Sequence, residues 1–457
     1  MTRFTRHLTL FCLFATAPCT FTHGQEPAAT SPANPEFKPL LGLLDLKDGD
    51  TVVFLGDSIT HQCLYTQYVE DFYYTRFPKI HVRFHNAGVG GDRAKNALDR
   101  FDDDVAACKP KYVTMLLGMN DGGYSSYAQP TFDTYQKDMS TLLDKIAALG
   151  ATAIPMTPTM HDARAARLAH RAQEPRDTYY NGVLALYGAW LREQAQVRGL
   201  GFVDMYAPLN DITLEEREKN PTWTMISDAV HPGPTGQVIM ASAIIDEIVP
   251  HPPVSQITLL QRNGKMISNG KNGEVTDLQA EGDTIRFTFA ANALPWVLPP
   301  DASEGYKLAH AGHRFSSERF TGRNLKSGKY TLKIDDAPVG TWTDGQLAVG
   351  VELEENDKTP EYQQALKVAQ LNKERNNQAV HPLRDQWGQM KGKRNEIRKA
   401  EDGNDPQLAT KKEEFEKWHA EFNTRIADLL AKAKTFEDEI YKANQPQPHK
   451  YELAPAQ

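Results

Sequence analysis

Short apolar segments alternate with longer amphipathic segments over residues 45–250 of the chain. The apolar segments are typical of buried β-strands, and we predict five of them, at 52–55, 82–85, 112–117, 151–156 and 202–204. Between them, apolar residues recur at helical spacing, most clearly in 94–107, 132–149 and 179–197. Continuous apolar strands separated by amphipathic helices predict a parallel sheet covered on both faces. This part of the chain is therefore predicted to be a three-layer α/β/α domain.

The pattern changes after the His251-Pro252-Pro253 segment. Residues 254–353 contain alternating apolar and polar runs separated by Gly and Asn turns, which predicts a small β-rich domain. Residues 359–444 are heavily charged, with apolar and aromatic residues every three or four positions on either side of a turn at 403–406. That spacing predicts an antiparallel helical hairpin whose aromatic residues serve in packing. The boundaries 45–250, 254–353 and 359–444 thus define three predicted domains.

The N-terminal segment has the pattern of an export signal. Basic residues within 3–7 precede an apolar run over 8–17, which is too short to cross a bilayer but suits the core of a secretory signal. We predict that residues 1–24 are a signal peptide and that 25–44 are a flexible leader. The mature protein is expected to be exported, into the periplasm or the extracellular space.

Composition and charge narrow the classes of protein that remain. The chain has 457 residues and a net charge of −8, from 59 acidic against 51 basic residues, so nucleic acid is not expected as a partner. No later stretch is apolar and long enough to predict a transmembrane helix. Four cysteines exclude a disulfide scaffold. Once the signal is removed, Cys63 and Cys108 remain, either as a pair or as two separate buried thiols, and we favour the second.

Polar clusters follow three of the predicted strands, and another lies near the end of the α/β region. Gly56-Asp57-Ser58 comes directly after the first strand and opens a helix, whose N-terminus stabilises negative charge. A glycine-rich turn at 86–92 follows the second strand, and Asn120 follows the third. Asp228 and His231 form an Asp-x-x-His pair further on. Each cluster alone could be a turn, a helix cap or a surface pair, but ligands bind at such strand ends, so together they predict one site.

In their order and residue types these clusters resemble the four signature blocks of the SGNH hydrolases, also called GDSL esterases/lipases. The resemblance covers about residues 50–248 and implies a flavodoxin-like parallel sheet. It also implies that Ser58 is the nucleophile, that His231 is the general base, and that Asp228 orients His231.

The resemblance further implies three donors for the oxyanion hole. They are the backbone N–H of Ser58, the backbone N–H of Gly91 and the side-chain amide of Asn120. One departure is Arg93, at a position where many relatives carry Thr or Ser, and we expect it to affect the pocket wall rather than the chemistry.

Several polar and aromatic residues near these blocks have two interpretations. Asp57 and Asp121 are expected to hold their loops rather than to act in catalysis. His61 either lines the pocket or lies on an ordinary helix surface. Three aromatic residues on nearby loops either stack against substrate or pack locally: Tyr124, Tyr127 and Trp223.

These features predict an exported serine ester hydrolase that removes O-acetyl groups from carbohydrates through an acyl-enzyme. The same resemblance also covers lysophospholipases, thioesterases and arylesterases. A third possibility is a binding protein with a vestigial hydrolase domain, which self-associates through its helical hairpin. The sequence has no H-E-x-x-H, C-x-x-C or P-loop motif, so we expect neither a metal nor another cofactor.

Overall fold

The computed structural model describes residues 36–174 and 176–456, and Phe37–Gln457 form one compact unit. The predicted signal peptide at 1–24 lies outside the described residues, as does the leader up to residue 35. In the described part of the chain, no helix combines the length and the apolar character needed to span a membrane.

The first part of the unit is an α/β layer structure. Its elements, in chain order, are β1 (Thr51–Gly56), α1 (Ser58–His61), α2 (Leu64–Arg76), β2 (Arg83–Gly88), α3 (Ala94–Asp104), β3 (Tyr112–Leu116), α4 (Gln129–Ala148), β4 (Thr152–Pro155), α5 (Ala163–Leu168), α6 (Arg176–Arg198), α7 (Tyr206–Lys219) and α8 (Pro234–Ile248). The four strands are parallel, in the order β2-β1-β3-β4. Every residue of β1 and β3 is buried, as expected for central strands covered on both faces. The predicted mixed α/β fold with a parallel sheet is confirmed.

The fifth predicted strand, at 202–204, does not form a ladder. Only an isolated bridge between Met156 and Val203 is present there. The chain turns at once into α7, because the Asp204 carboxylate accepts hydrogen bonds from the N–H groups of Tyr206 and Ala207, at 2.9 and 3.1 Å. A carboxylate that caps the following helix ends an extended segment early.

A second region contains two mainly antiparallel sheets. Its elements are β5 (Ser255–Arg262), β6 (Lys265–Lys271), β7 (Gly273–Glu281), β8 (Thr284–Ala291), α9 (Ser303–Leu308), α10 (Ala311–Phe315), β9 (Glu318–Arg323), β10 (Lys329–Ile334), β11 (Ala337–Thr343), α11 (Asp344–Val349) and β12 (Val351–Glu352). One sheet has the order β12-β9-β5-β6. The other has the order β11-β10-β13-β8-β7, and its middle strand β13 (Pro448–Pro455) comes from beyond the predicted hairpin. The predicted β region at 254–353 therefore leaves out β13, although β13 belongs to its second sheet.

Three helices lie between β12 and β13: α12 (Pro360–Arg375), α13 (His381–Asp402) and α14 (Leu408–Ala443). A π-helical turn at 376–380 joins α12 to α13. The buried Arg375 guanidinium lies 3.1 Å from Glu70 of α2 and 2.7 Å from Glu437 of α14. These ion pairs, with buried Val368 and Ile440 in the main core, pack the helices on the α/β layer. Since Phe37–Gln457 form one compact unit, the proposed domain boundaries stay predictions.

We call α13 and α14 the helical arm. Its inner face forms a small apolar core in which Trp387 and Phe422 meet edge to face, with ring centroids 5.2 Å apart. Val89, from the loop after β2, is fully buried in this core. Trp387 and Phe422 of the arm thus pack inside the protein, against the loop that carries Gly91.

The two remaining cysteines are separate. Cys63 is buried and Cys108 is half-buried, and both carry free thiols. Burial raises the pKa of the Cys63 thiol well above its usual range.

Candidate active site

Ser58 is the first residue of α1, directly beyond the carboxyl end of β1. Asp57 caps this helix, since its Oδ1 accepts the Ile59 N–H at 2.9 Å. Gly56 is required at the end of the strand, because a Cβ there would lie 2.0 Å from Oγ1 of Thr60. The close approach of α1 to β1 therefore presents the Ser58 hydroxyl at the edge of the sheet.

Ser58 and Asp228 each lie within hydrogen-bond distance of His231, which stands between them. Nε2 of His231 lies 2.8 Å from the Ser58 Oγ, and Nδ1 of His231 lies 2.7 Å from Oδ2 of Asp228. Oδ1 of Asp228 accepts the backbone N–H groups of His231 at 2.8 Å and of Val230 at 3.0 Å. Residues 173 positions apart in the chain thus form one continuous hydrogen-bonded row.

The turn between Asp228 and His231 has an unusual backbone. Ala229 has a φ of +75°, a left-handed conformation that costs a non-glycine residue of order 1 kcal/mol or more. Its N–H donates to Ile226 O at 3.0 Å, and its carbonyl accepts the Asp162 N–H at 2.9 Å. Buried hydrogen bonds at both ends of Ala229 therefore hold the bend that points Asp228 at His231.

The Asp228 carboxylate is stabilised in its charged form. Partial burial acts to raise its pKa, but the hydrogen bonds from the His231 backbone, the His231 ring and the Val230 N–H outweigh burial and lower the pKa below its usual range. A carboxylate facing Nδ1 holds the ring proton there and leaves Nε2 as an acceptor toward Ser58.

Two of the three predicted oxyanion donors have free N–H groups. Among the described residues, neither the Ser58 N–H nor the Gly91 N–H has a hydrogen-bond acceptor. Gly91 has a φ of +68°, which a residue without a Cβ adopts at little cost.

The third predicted donor, Asn120, is engaged by its neighbours. Its Nδ2 donates to Asp92 O at 3.0 Å and to Oδ2 of Asp57 at 3.3 Å, and its Oδ1 accepts the Tyr124 hydroxyl at 3.0 Å. These contacts fix the orientation of the Asn120 amide beside Asp57, the residue that caps α1. To stabilise an oxyanion, Nδ2 of Asn120 would have to donate to it in addition to Asp57, or in place of Asp57, which accepts the longer of its two hydrogen bonds.

Asp57 and Asp121 lie beneath the site and are almost completely buried. Burial raises the pKa of Asp57 from 3.8 to about 7, although the Ile59 N–H acts in the opposite direction. Burial likewise raises the pKa of Asp121 to about 7, against the hydrogen bond from the Ala94 N–H. Asp57 accepts an N–H of α1 and Asp121 accepts an N–H of α3, so each carboxyl group ties its loop to the start of a helix.

We expect Asp57→Asn to flatten the fall in unfolding free energy as pH rises from about 4 to about 7. The folded-state pKa of Asp57 exceeds the unfolded value of 3.8, so its contribution is complete below about pH 4 and is lost as pH approaches 7. Asparagine does not ionise and can still accept the Ile59 N–H. The slope should change by up to about 1.4 kcal/mol per pH unit. Urea unfolding across this range measures it, with exposed Asp428→Asn as control; equal slopes for D57N and wild type would contradict the prediction.

The other residues singled out from the sequence differ in what their side chains contact. Tyr124 reaches the site through Asn120, whereas the Tyr127 hydroxyl donates to Gln129 and the Trp223 indole donates to Glu304. His61 is not on an ordinary helix surface: its Nδ1 accepts the Gly90 N–H at 3.3 Å, and its Nε2 lies 3.1 Å from Asp385 of the helical arm.

His61, His381 and Asp385 are the one group among the described residues with the spacing of metal ligands, their ligand atoms lying within 4.8 Å. The Gly90 N–H occupies Nδ1 of His61, so the neutral ring carries its proton on Nε2, toward Asp385. That tautomer presents a proton where a metal would bind. The group is thus accounted for as a hydrogen-bonded cluster, and the expectation that no metal or cofactor is needed stays a prediction.

Sequence analysis missed the residues of the helical arm that contact the loop after β2. Arg384 is fully buried and donates to Gly88 O at 3.1 Å, and Lys391 donates to Gly90 O at 2.9 Å. No sequence signal singles them out, because they lie about three hundred positions from the loop on a highly charged helix.

Comparison with known proteins identifies the family of this arrangement. The model of the GDSL-like lipase/acylhydrolase family matches residues 54–239, which include Ser58 and His231. An acetylxylan esterase from Geobacillus stearothermophilus is 25% identical over 228 residues, which are 45% of this chain and 96% of that protein. Among solved structures, a gut microbial diltiazem-metabolizing enzyme gives a TM-score of 0.75 at 25% identity, covering 91% of this chain and 99% of that one. Residues 54–239 are thus a domain of the GDSL-like lipase/acylhydrolase, or SGNH, type, and the protein is a carboxylic ester hydrolase.

Proposed function

We propose that Ser58 is the nucleophile of an acyl-enzyme mechanism, with His231 as general base and Asp228 as the residue that orients it. The observation that carries this proposal is the hydrogen-bonded row, with 2.8 Å from Ser58 Oγ to Nε2 and 2.7 Å from Nδ1 to Oδ2. A serine hydroxyl is a weak nucleophile until an adjacent base accepts its proton. The lowered pKa of Asp228 supports an ionised partner for the imidazolium that forms.

The steps follow from these contacts. Nε2 of His231 takes the Ser58 proton as Oγ attacks the ester carbonyl, and the carbonyl oxygen becomes an oxyanion. The free N–H groups of Ser58 and Gly91 stabilise that charge. The intermediate collapses as His231 gives its proton to the leaving alcohol, which forms the acyl-enzyme. Water, deprotonated by His231, then attacks the acyl carbonyl, and release of the acid restores the Ser58 hydroxyl.

We propose that the substrate is an O-acetyl, or other short acyl, ester on a carbohydrate. The row is close to the surface: the side chains of His231 and Asp228 are 36% and 42% exposed, and Ser58 is half-buried. An alcohol group carried on a bulky sugar chain can approach such a site without threading a channel. The acetylxylan esterase relative supports the same substrate class.

A series of nitrophenyl esters from acetyl to dodecanoyl tests the acyl group. We expect the highest kcat/KM for acetyl, and a preference for octanoyl or longer chains would overturn the short-acyl proposal in favour of a lysophospholipase or thioesterase. Release of acetate from acetylated xylan, compared with acetylated aryl alcohols, tests the carbohydrate. Faster turnover of the aryl acetates would favour an arylesterase.

We expect Asn120→Ala to lower kcat by about 100- to 1,000-fold, because it removes a proposed oxyanion donor. The loss should appear in kcat more than in KM, since the oxyanion exists only after attack. Steady-state kinetics on nitrophenyl acetate measures it. The control is Asn423→Ala, at an exposed position on α14. Near-normal turnover of N120A would exclude Asn120 from the oxyanion hole.

We further propose that the protein is exported, on the basis of the basic residues and the apolar run within 3–17. Its expected location is the periplasm or the extracellular space, and N-terminal sequencing of the mature protein tests it. Self-association through the hairpin has less support, because the arm buries its aromatic face against its own chain. The alternative of a vestigial, binding-only domain is tested below by labelling of Ser58.

A further inference from the structure

Lys391 of the helical arm contacts the loop on both sides of Gly91. Its Nζ donates to Gly90 O at 2.9 Å and lies 2.9 Å from Oδ1 of Asp92 as an ion pair. Asp92 is fully buried, and its other oxygen accepts Nε of Arg100 at 2.9 Å. Lys391 therefore bridges the two residues that flank the proposed oxyanion donor.

The contact with Gly90 bears directly on the Gly91 N–H. The carbonyl of Gly90 and the N–H of Gly91 belong to the same peptide group, and in a planar trans peptide they point in opposite directions. Holding the carbonyl toward Lys391 therefore holds the N–H away from Lys391. Gly90 and Gly91 flank this peptide group and have no Cβ, so the peptide can rotate easily. An external contact is therefore needed to fix one orientation.

The ammonium group also affects how strongly this N–H donates. A cation that binds the carbonyl polarises the peptide, which strengthens the hydrogen bond that the N–H of the same group makes. This effect matters most in the transition state, when the acceptor carries a full negative charge.

Lys391 also acts on Asn120, the side-chain donor, through Asp92. The carbonyl of Asp92 accepts Nδ2 of Asn120 at 3.0 Å, so the residue paired with Lys391 is also the one that orients the Asn120 amide. One lysine thus stabilises the loop conformation on which two of the three proposed donors depend.

The helix that carries Lys391 is firmly attached to the same loop. Trp387 and Met390 enclose Val89, and Arg384 donates to Gly88 O. The Arg384 guanidinium is also held by hydrogen bonds to both oxygens of buried Asp104, one of them at 3.0 Å. Because Arg384 and Trp387 fix α13 two turns and one turn before Lys391, the ammonium group is held at a defined point.

We propose that Lys391 is a positioning residue that fixes the Gly90–Gly91 peptide in the orientation required for oxyanion stabilisation. This rests on the proposed function, because it assigns Lys391 to the oxyanion hole of that same site. Lys391 lies outside residues 54–239, so the helical arm supplies a part of the active site that the family domain does not contain.

The test replaces Lys391 with methionine, which keeps the aliphatic stem, and with arginine, which can still donate to Gly90 O. We expect Lys391→Met to lower kcat by about 10-fold or more with little change in KM, a smaller loss than removal of a donor. Lys391→Arg should recover most of the loss. Lys393→Met is the control, since Lys393 lies on the same helix and has only a 3.9 Å pair with Glu396.

Inhibition by phenylboronic acid provides the second measurement. Its tetrahedral adduct with a serine hydroxyl carries an oxygen where the oxyanion would form, so K391M should weaken inhibition by the same factor as kcat. Thermal unfolding of each variant is measured in parallel. Unchanged kcat and inhibition in K391M would overturn the proposal, as would a lower kcat with unchanged inhibition. If the wild type neither hydrolyses esters nor binds the boronic acid, the proposed function itself fails, which is a distinct result.

Discussion

Replacing Ser58 with alanine should lower kcat/KM on nitrophenyl acetate by about 10,000-fold or more, toward the residual rate that binding and the oxyanion donors alone provide. Alanine removes the hydroxyl oxygen that lies 2.8 Å from the His231 Nε2, so no acyl-enzyme can form. The fold should be retained, since Ser58 Oγ makes no other hydrogen bond among the described residues. Rates from burst and steady-state phases measure the loss.

The matched control is Ser327→Ala, at an exposed serine between β9 and β10. It should leave kcat/KM unchanged. A fluorophosphonate probe extends the comparison, because it should label wild type and S327A but not S58A. Folded wild-type protein that refuses the probe would contradict the nucleophile assignment and favour a binding-only domain.

Asp228→Asn should lower kcat by about 10,000-fold while leaving the backbone in place. The asparagine carbonyl can still accept the N–H groups of Val230 and His231, so the turn at Ala229 keeps its acceptors. Its amide, however, then faces Nδ1 of His231 with a donor. The ring must move its proton to Nε2, where it can no longer accept the Ser58 proton.

Single-turnover acylation kinetics would detect this defect directly. Asp211→Asn, at an exposed position on α7, removes the same charge away from the site and serves as the control. The double variant with Ser58→Ala should be no slower than S58A alone, because the three residues act as a unit. Full activity in D228N would mean that another group orients His231.

The sequence could predict that several of the candidate site residues lie together, because their clusters follow strands of one sheet. Ser58, Gly91 and Asn120 each follow a strand of the parallel sheet, and the carboxyl ends of such strands meet at one edge. The order of the four clusters then indicated the family. The third donor was predicted less fully, since the contacts of Asn120 with Asp57 and Asp92 depend on loop packing that residue types do not determine.

Longer-range features could not be predicted in this way. Lys391 and Gly90 lie 301 positions apart in the chain. In the sequence, a lysine on a charged helix cannot be distinguished from a solvent-exposed one, because its contact depends on how the helix packs. The segment 202–204 failed for a local reason, because its apolar pattern suits a strand while Asp204 caps the helix that follows. The strand β13 was missed because it follows a long helix, with no neighbouring strand in sequence to suggest a hairpin.

The central place of β13 has a consequence for how this protein is made. It pairs with β10 on one side and with β8 on the other. The two hairpins formed from residues 273–343, β7–β8 and β10–β11, therefore have unpaired inner edges until β13 has been synthesised. Those edges close only after the intervening helices have been translated, and until then they can pair with other chains. Deletion of 448–455 would therefore divide this sheet into two separate hairpins, and we expect the product to aggregate.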